Sequence, residues 1–323
     1  MSVSSGEVIE ILRAAGEPTR LRILALLARE ELSVLELCTI LDQSQPRVSR
    51  HLKLLAEAGI VERFPDGAWV FYRLSAHGGG RSLADQVLAL IDPGDAALQR
   101  DAERLSRVET ERSTAAAAYF ARNAAHWDEI RSLHVAEAEV EAAIHGAVGS
   151  RPLDLLVDLG AGTGRMLTLL GGRASRAVGL DLSRQMLNIA RVNVGEAGLP
   201  FCELRHGDIF ATGLSDGCAD LVTVHQVLHY LGDPAAAVGE AARLVAPGGR
   251  LLIVDFAPHG LENLREQHQH RRLGFSDEEI GRLFNLSGLE LESAAALPPA
   301  SDAGLTVKIW TARRPALAER NAA

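Results

Sequence analysis

The stretch Val157-Asp158-Leu159-Gly160-Ala161-Gly162-Thr163-Gly164-Arg165 constrains the fold of this chain more than any other. An apolar run ending in an acid, followed by glycines at alternating positions and a helix-forming run, is the pattern of a strand that turns abruptly into a helix. Gly160, Gly162 and Gly164 let the backbone turn sharply and approach a ligand at the positive end of that helix. A nucleotide-like ligand is implied. Dinucleotide binders place a further glycine three residues after the second, where this chain has Arg165, so NAD is disfavoured. Asp181, closing the next strand in Val178-Gly179-Leu180-Asp181-Leu182-Ser183, is placed to accept two hydrogen bonds from ribose hydroxyls. Asp208 falls after a third strand, on the adenine side.

The same alternation of strand and helix continues to the end of the chain. Strands are expected at 153–158, 176–180, 202–205, 220–224, 250–255, 289–294 and 306–311, with helices between most of them, as in a doubly wound α/β domain. A chain of 323 residues with 47% apolar content is too long for one ordinary domain and too apolar to be disordered. Two globular domains are expected, at residues 1–80 and 119–323, joined by a helical linker or dimerisation region at 81–118. In that region the Ala-, Glu- and Arg-rich stretch 95–125 reads as a long helix, with its mixed charges either solvated or used in dimer contacts.

The first 80 residues follow a different period. Val8, Ile11 and Leu12 open one helix, and Leu21 to Leu27 follow Pro18 in a second. Ser33 is the expected N-cap of a third helix reaching Leu41, Asp42 to Ser44 break the pattern, and Gln45 to Ala58 form a fourth that stops at Gly59. Val48, Leu52 and Leu55 share one face of that fourth helix, leaving Gln45, Arg47, Ser49, Arg50 and Lys53 on the other. The net charge of −9 argues against nucleic acid only if it is uniform, and between Ser44 and Leu55 there are four basic or imidazole side chains and no acid. Two β-prone runs, 60–64 and 69–74, are joined by Pro65-Asp66-Gly67-Ala68, a turn composition, and would form a wing.

These residues resemble the ArsR-type family of bacterial winged helix-turn-helix repressors, above all in Glu17-Pro18-Thr19-Arg20-Leu21-Arg22-Ile23-Leu24 and in Ser44-Gln45-Pro46-Arg47-Val48-Ser49-Arg50-His51-Leu52-Lys53-Leu54-Leu55. The resemblance implies a homodimer on double-stranded DNA, with an inverted-repeat operator whose half-sites lie about one helical turn apart. It makes Ser44, Gln45, Arg47, Ser49, Arg50 and His51 the candidate DNA contacts. Metal-sensing members carry paired cysteines in the third helix, where this chain has only Cys38, so soft-metal sensing there is disfavoured and no metal is expected. The wing is less basic than is usual, with only Arg63 and Arg73 beside the turn.

The second half resembles the class I S-adenosylmethionine-dependent methyltransferases, whose domain is α/β and Rossmann-like. The resemblance rests on Asp158 to Gly164, on Asp181, on His206-Gly207-Asp208-Ile209, and on Leu244-Val245-Ala246-Pro247-Gly248-Gly249-Arg250 before the fifth strand. It implies S-adenosylmethionine as cofactor, S-adenosylhomocysteine as product or effector, and a cofactor site of Asp158, Gly160, Gly162, Gly164, Asp181, Leu182, Met186, Asp208, Ile209 and His225. Met186 would pack on the adenine, and His225 would lie beside the cofactor.

Methyl transfer is an in-line displacement that needs orientation, a dry site, and a base only when the nucleophile carries a proton. No obligatory catalytic group can be named, but His225, His229 and His259 follow strands at the carboxyl edge and are the candidates. His268 and His270, two apart on a helix, would face different ways and form no metal site. Asp255, His259 and the segment 266–272 could bind an anionic substrate or cover the cofactor. Methylation of DNA is disfavoured, because Val224-His225-Gln226-Val227 stands where the base-handling tetrad would be. Arsenite methylation is disfavoured for want of clustered thiols.

Two functions remain. In one, a dimeric regulator senses S-adenosylmethionine or S-adenosylhomocysteine; in the other, an active small-molecule methyltransferase carries an autoregulatory DNA-binding domain uncoupled from the cofactor. No apolar run reaches the roughly 20 residues of a membrane span, and the start lacks a signal-peptide pattern, so no membrane partner and a cytoplasmic location are expected.

Overall fold

Residues 4–75, 78–124, 127, 137–299 and 304–316 are described by the computed structural model. The chain divides into two compact units at Thr114 and Ala115. The first unit therefore includes much of the stretch expected to be a linker.

In the first unit α1 (Ser5–Ala15), α2 (Pro18–Leu27), α3 (Val34–Leu41) and α4 (Gln45–Glu57) precede the hairpin β2 (Val61–Asp66) and β3 (Trp69–Leu74). α3 starts where the sequence indicated, because Ser33 accepts from the Glu36 N–H while Glu36 reaches back to the Ser33 N–H. It stops at Asp42, which takes the left-handed conformation, φ 56°, and reverses the chain into α4. A short strand β1 (Leu32–Ser33), absent from the sequence reading, pairs with β3 and makes the sheet order β1-β3-β2. The wing turn is shorter than expected: Asp66 pairs with Trp69, so Gly67 and Ala68 alone turn the chain. Gly67 supplies the positive φ, and Pro65 is tolerated because β2 is an edge strand. The core joins Ile23, Leu24, Leu37, Ile40, Val48, Leu52, Leu55 and Ile60, all fully buried.

After α5 (Gly79–Ala89), the long helix α6 (Ala96–Asn123) runs through the boundary between the units. Its charges are not simply solvated. Asp101, 2% exposed, takes both Nε and Nη2 of Arg22 at 2.6 and 2.7 Å; Arg112 bridges Glu30 and Glu36; and Leu105 enters the core of the first unit. The alternating charge pattern hid this face because its partners lie 64 to 82 residues away in sequence.

The second unit is a seven-stranded sheet in the order β6-β5-β4-β7-β8-β10-β9, formed by β4 (Leu153–Leu159), β5 (Ala174–Asp181), β6 (Cys202–His206), β7 (Ala219–His225), β8 (Val245–Phe256), β9 (Glu290–Leu297) and β10 (Val307–Arg313). Strands β4 to β8 pair in parallel, and β10 runs antiparallel to both β8 and β9. Alternate side chains divide the core in two. Leu155, Val157 and Leu159 face one cluster with Val238 and Phe284, whereas Leu156 faces the other with Ile144 and Leu167. The strand order reverses between β4 and β7, which opens a crevice at their carboxyl ends. Among the described residues no helix is long and apolar enough to cross a membrane.

Candidate functional site

The crevice between β4 and β7 is lined by the glycine turn. Gly160, Gly162 and Gly164 have φ of 73°, 51° and 83°, values that side chains rarely adopt. The three serve different ends. A Cβ at Gly160 would lie 2.4 Å from Val227, so this glycine lets the loop after β7 pack onto the turn, and a Cβ at Gly164 would press on Ala190 at 3.2 Å. Among the described residues a Cβ at Gly162 would meet only Trp127, at 3.8 Å, which is ordinary contact, so there Gly162 is not held by packing.

Asp181 joins this turn to the second strand. Its Oδ2 accepts from the Gly162 N–H at 2.8 Å and its Oδ1 from the Ser183 N–H at 2.7 Å. Each oxygen keeps a further lone pair. Burial pushes the carboxyl up from its ordinary range, offset in part by those two N–H donors. Leu182 is 57% exposed beside it, Asp208 is exposed and accepts from the Phe210 N–H, and Ile209 is buried. Met186 is 2% exposed, packed on the inner face of the helix Arg184–Glu196. Asp158 points into the sheet and accepts from the Thr223 hydroxyl at 2.6 Å, tying β4 to β7 beneath the crevice.

The candidate bases lie on different elements, and the rings of His229 and His259 both lie against Phe256, at 5.2 and 6.3 Å. His225 ends β7 half-buried, and Gln226 after it has φ 52°, a conformation that is strained for a side chain and lies at the crevice. His259 sits on a loop, where its Nδ1 accepts from the Leu261 N–H. His229 is 1% exposed, and its Nδ1 lies 2.7 Å from Asp255 Oδ1. Asp255, fully buried at the end of β8, also accepts from the N–H groups of Phe256 and His229.

His268 and His270 are not on one helix. The helix Asn263–His268 ends where Gln269 turns left-handed, φ 59°, and this brings the two rings to 6.4 Å. His270 then packs 4.2 Å from His229, with Tyr230 and Phe256 beside it. Phe120 and Trp127 join this group through Tyr230, at 4.9 and 6.4 Å, and the Tyr119 hydroxyl meets His268 Nδ1 at 2.7 Å. Sequence reading missed Tyr119, Phe120, Trp127 and Tyr230. A signal was present, since the chain has only three Trp and three Tyr, and three of these six meet here.

In the first unit α4 exposes Ser44, Gln45, Arg47, Arg50 and Lys53, with Ser49 half-buried. The Ser44 side chain makes no capping hydrogen bond, Pro46 in the first turn has no N–H, and the Arg47 and Val48 N–H groups both donate to the Ser44 carbonyl. His51 is turned inward, its Nδ1 3.5 Å from Glu17, and burial with Arg20, Arg47 and Arg50 nearby pushes its pKa down. On the wing, Arg73 is held by Glu31 and Glu62, whereas Arg63 is exposed.

A family model described as bacterial regulatory protein, arsR family, matches residues 17–63, and one described as methyltransferase domain matches 157–253. The arsenic resistance transcriptional regulator of Pseudomonas putida is 40% identical over 100 residues, which are 30% of this chain and 77% of that protein. The chain belongs to the arsR family of bacterial regulatory proteins and carries a methyltransferase domain.

For that second domain the ubiquinone biosynthesis O-methyltransferase of Thiobacillus denitrificans is 30% identical over 157 residues, 44% of this arsR-family chain and 67% of the relative. A chain in the solved complex between the Haloferax volcanii Trm112 methyltransferase activator and a methyltransferase shares the fold, with TM-score 0.51 and 20% identity over 61% of this chain and 97% of that one. The arsR-family chain spans 31% to 60% of the length of the first curated relatives it matches.

Proposed function

We propose that the protein is a dimeric DNA-binding regulator whose affinity for an inverted-repeat operator is set by S-adenosylmethionine or S-adenosylhomocysteine in its second unit. The observation that carries this reading is the double role of α6. Its first part supplies Asp101, Leu105 and Arg112 to the core and ion pairs of the first unit, and its last part supplies Tyr119 and Phe120 to the aromatic group of the second. A helix that contributes to both units is the kind of element through which a coupling free energy of ~1 to 3 kcal/mol would act.

The cofactor reading is supported by Gly162, which packing does not hold, and by the further lone pairs of Asp181. Bound there, S-adenosylmethionine would supply an electrophilic methyl group on a sulfonium, while Asp181 orients the ribose and the loop holding Gly162 approaches the chain's polar end. Cys38 is alone on α3, so the effector differs from the soft metalloid implied by the names of the arsenic-resistance relatives. A second reading, turnover of a small molecule with DNA binding uncoupled, is favoured by the buried pairing of His229 with Asp255.

The test is calorimetric titration of S-adenosylhomocysteine onto the full chain and onto Asp181→Ala. Loss of two charge-assisted hydrogen bonds should weaken binding by about a hundredfold or more, with operator affinity of the free protein unchanged. Equal loss of both in a folded variant would refute the division of labour between the units.

A further inference from the structure

His229 carries an unusual combination of features. The whole residue is 1% exposed, its Nδ1 is taken by Asp255, and its Nε2 has no hydrogen-bond partner among the described residues. A buried imidazole nitrogen without a partner costs free energy unless something else meets it. Its surroundings are rings: Tyr230 at 4.0 Å, His270 at 4.2 Å and Phe256 at 5.2 Å. Two nearby guanidinium groups are engaged, Arg272 by Glu279 and Arg265 by Glu262.

The same group connects to the cofactor turn. Trp127 lies 3.8 Å from the Cβ position of Gly162 and 6.4 Å from Tyr230, the residue that packs on His229. Val227, two residues before His229, is the side chain against which Gly160 packs. Two side chains, Trp127 and Tyr230, thus connect the glycine turn to His229.

We propose that His229 and Asp255 form a proton-accepting dyad, and that the methyl acceptor is a flat aromatic ring bearing a hydroxyl. The proposal rests on the reading that the second unit binds S-adenosylmethionine. Asp255 is the positioning residue: by accepting from Nδ1–H it fixes the tautomer that leaves a lone pair on Nε2. Ring walls select a planar acceptor, and a base is needed only for an acceptor that loses a proton. In the transfer, the acceptor oxygen forms the new C–O bond, the C–S bond breaks with its electron pair kept by sulfur, and the O–H proton passes to His229 Nε2. The imidazolium so formed is stabilised by Asp255 and returns its proton to solvent as the product leaves.

The test uses 4-nitrocatechol, whose absorbance reports its ionisation, on the full chain saturated with S-adenosylhomocysteine. The bound probe should ionise at least about one pH unit below the free probe, a tenfold change in its acidity, and this shift should vanish in His229→Asn and His229→Gln. Both variants should keep their affinity for S-adenosylhomocysteine, which shows that the domain is folded. With S-adenosylmethionine, the wild type should methylate the probe and the variants should do so about a hundredfold or more slowly. A probe that does not bind, or that ionises alike in wild type and both variants, would overturn the dyad. Failure of the wild type to bind S-adenosylhomocysteine would overturn the cofactor reading, and the dyad's role with it.

Discussion

The two units place their polar side chains in opposite ways. On α4, Gln45, Arg47, Arg50 and Lys53 stand in solvent, and none of the four is needed by the core beneath, which is Val48, Leu52 and Leu55. In the second unit the polar groups are inside: Asp158 on Thr223, Asp181 on two backbone N–H groups, and Asp255 on His229 and Phe256. The difference separates two ways of recognising a ligand. An exposed basic face draws a polyanion from a distance and tolerates substitution, at the cost of sensitivity to salt. A buried polar site is built in advance, so removing one member harms the fold as well as the site.

The comparison breaks most visibly at Asp255. Asp255→Ala leaves His229 Nδ1 and two backbone N–H groups unpaired in the core, and should lower the stability of the second unit by about 3 to 5 kcal/mol in denaturant unfolding. Operator affinity of the folded fraction should not change. Arg47→Ala should do the reverse. It should weaken operator binding by about tenfold, reduce the slope of log affinity against log salt by about one, and leave stability within about 0.5 kcal/mol of wild type. A stability loss at Arg47 matching that at Asp255 would erase the contrast.

A smaller effect sharpens it inside the first unit, where acids such as Asp101 and Glu30 are buried as well. Glu30 is 8% exposed and, despite Arg112, burial raises its pKa to about 7. A carboxyl with its folded pKa above the unfolded value binds its proton more tightly when folded, so its contribution is complete below about 4.5 and is lost as pH rises through about 7. Stability of the first unit should therefore fall between pH 5 and pH 8 on this account, and Glu30→Gln should flatten that slope. An unchanged slope in Glu30→Gln would assign the pH dependence to other groups.

What the sequence disclosed follows from the range over which its signals act. Ser33 as the N-cap of α3, the apolar face of α4, and the three glycines before α-helical Arg165 are local patterns, and the structure has them where they were expected. Asp181 was legible as a strand end, and it closes β5 beside the glycine turn, taking the Gly162 and Ser183 N–H groups. The two-residue wing turn was less so, since Pro65 and Asp66 have turn composition but are claimed by pairing with Val70 and Trp69. The aromatic group was hidden for a stronger reason: Tyr119 meets His268 across 149 positions, and no local period encodes that contact. His270 was misplaced because the helix was extended through Gln269, whose left-handed backbone no propensity foretells.

The central claim is that the two sites are coupled, and it is tested by operator affinity at fixed salt, measured on DNA from the protein's own promoter with and without saturating S-adenosylhomocysteine. The account predicts a shift in Kd of about tenfold, ~1.4 kcal/mol of coupling. An unchanged Kd, with cofactor binding verified by calorimetry in the same buffer, would contradict it and leave the two units as independent functions on one chain.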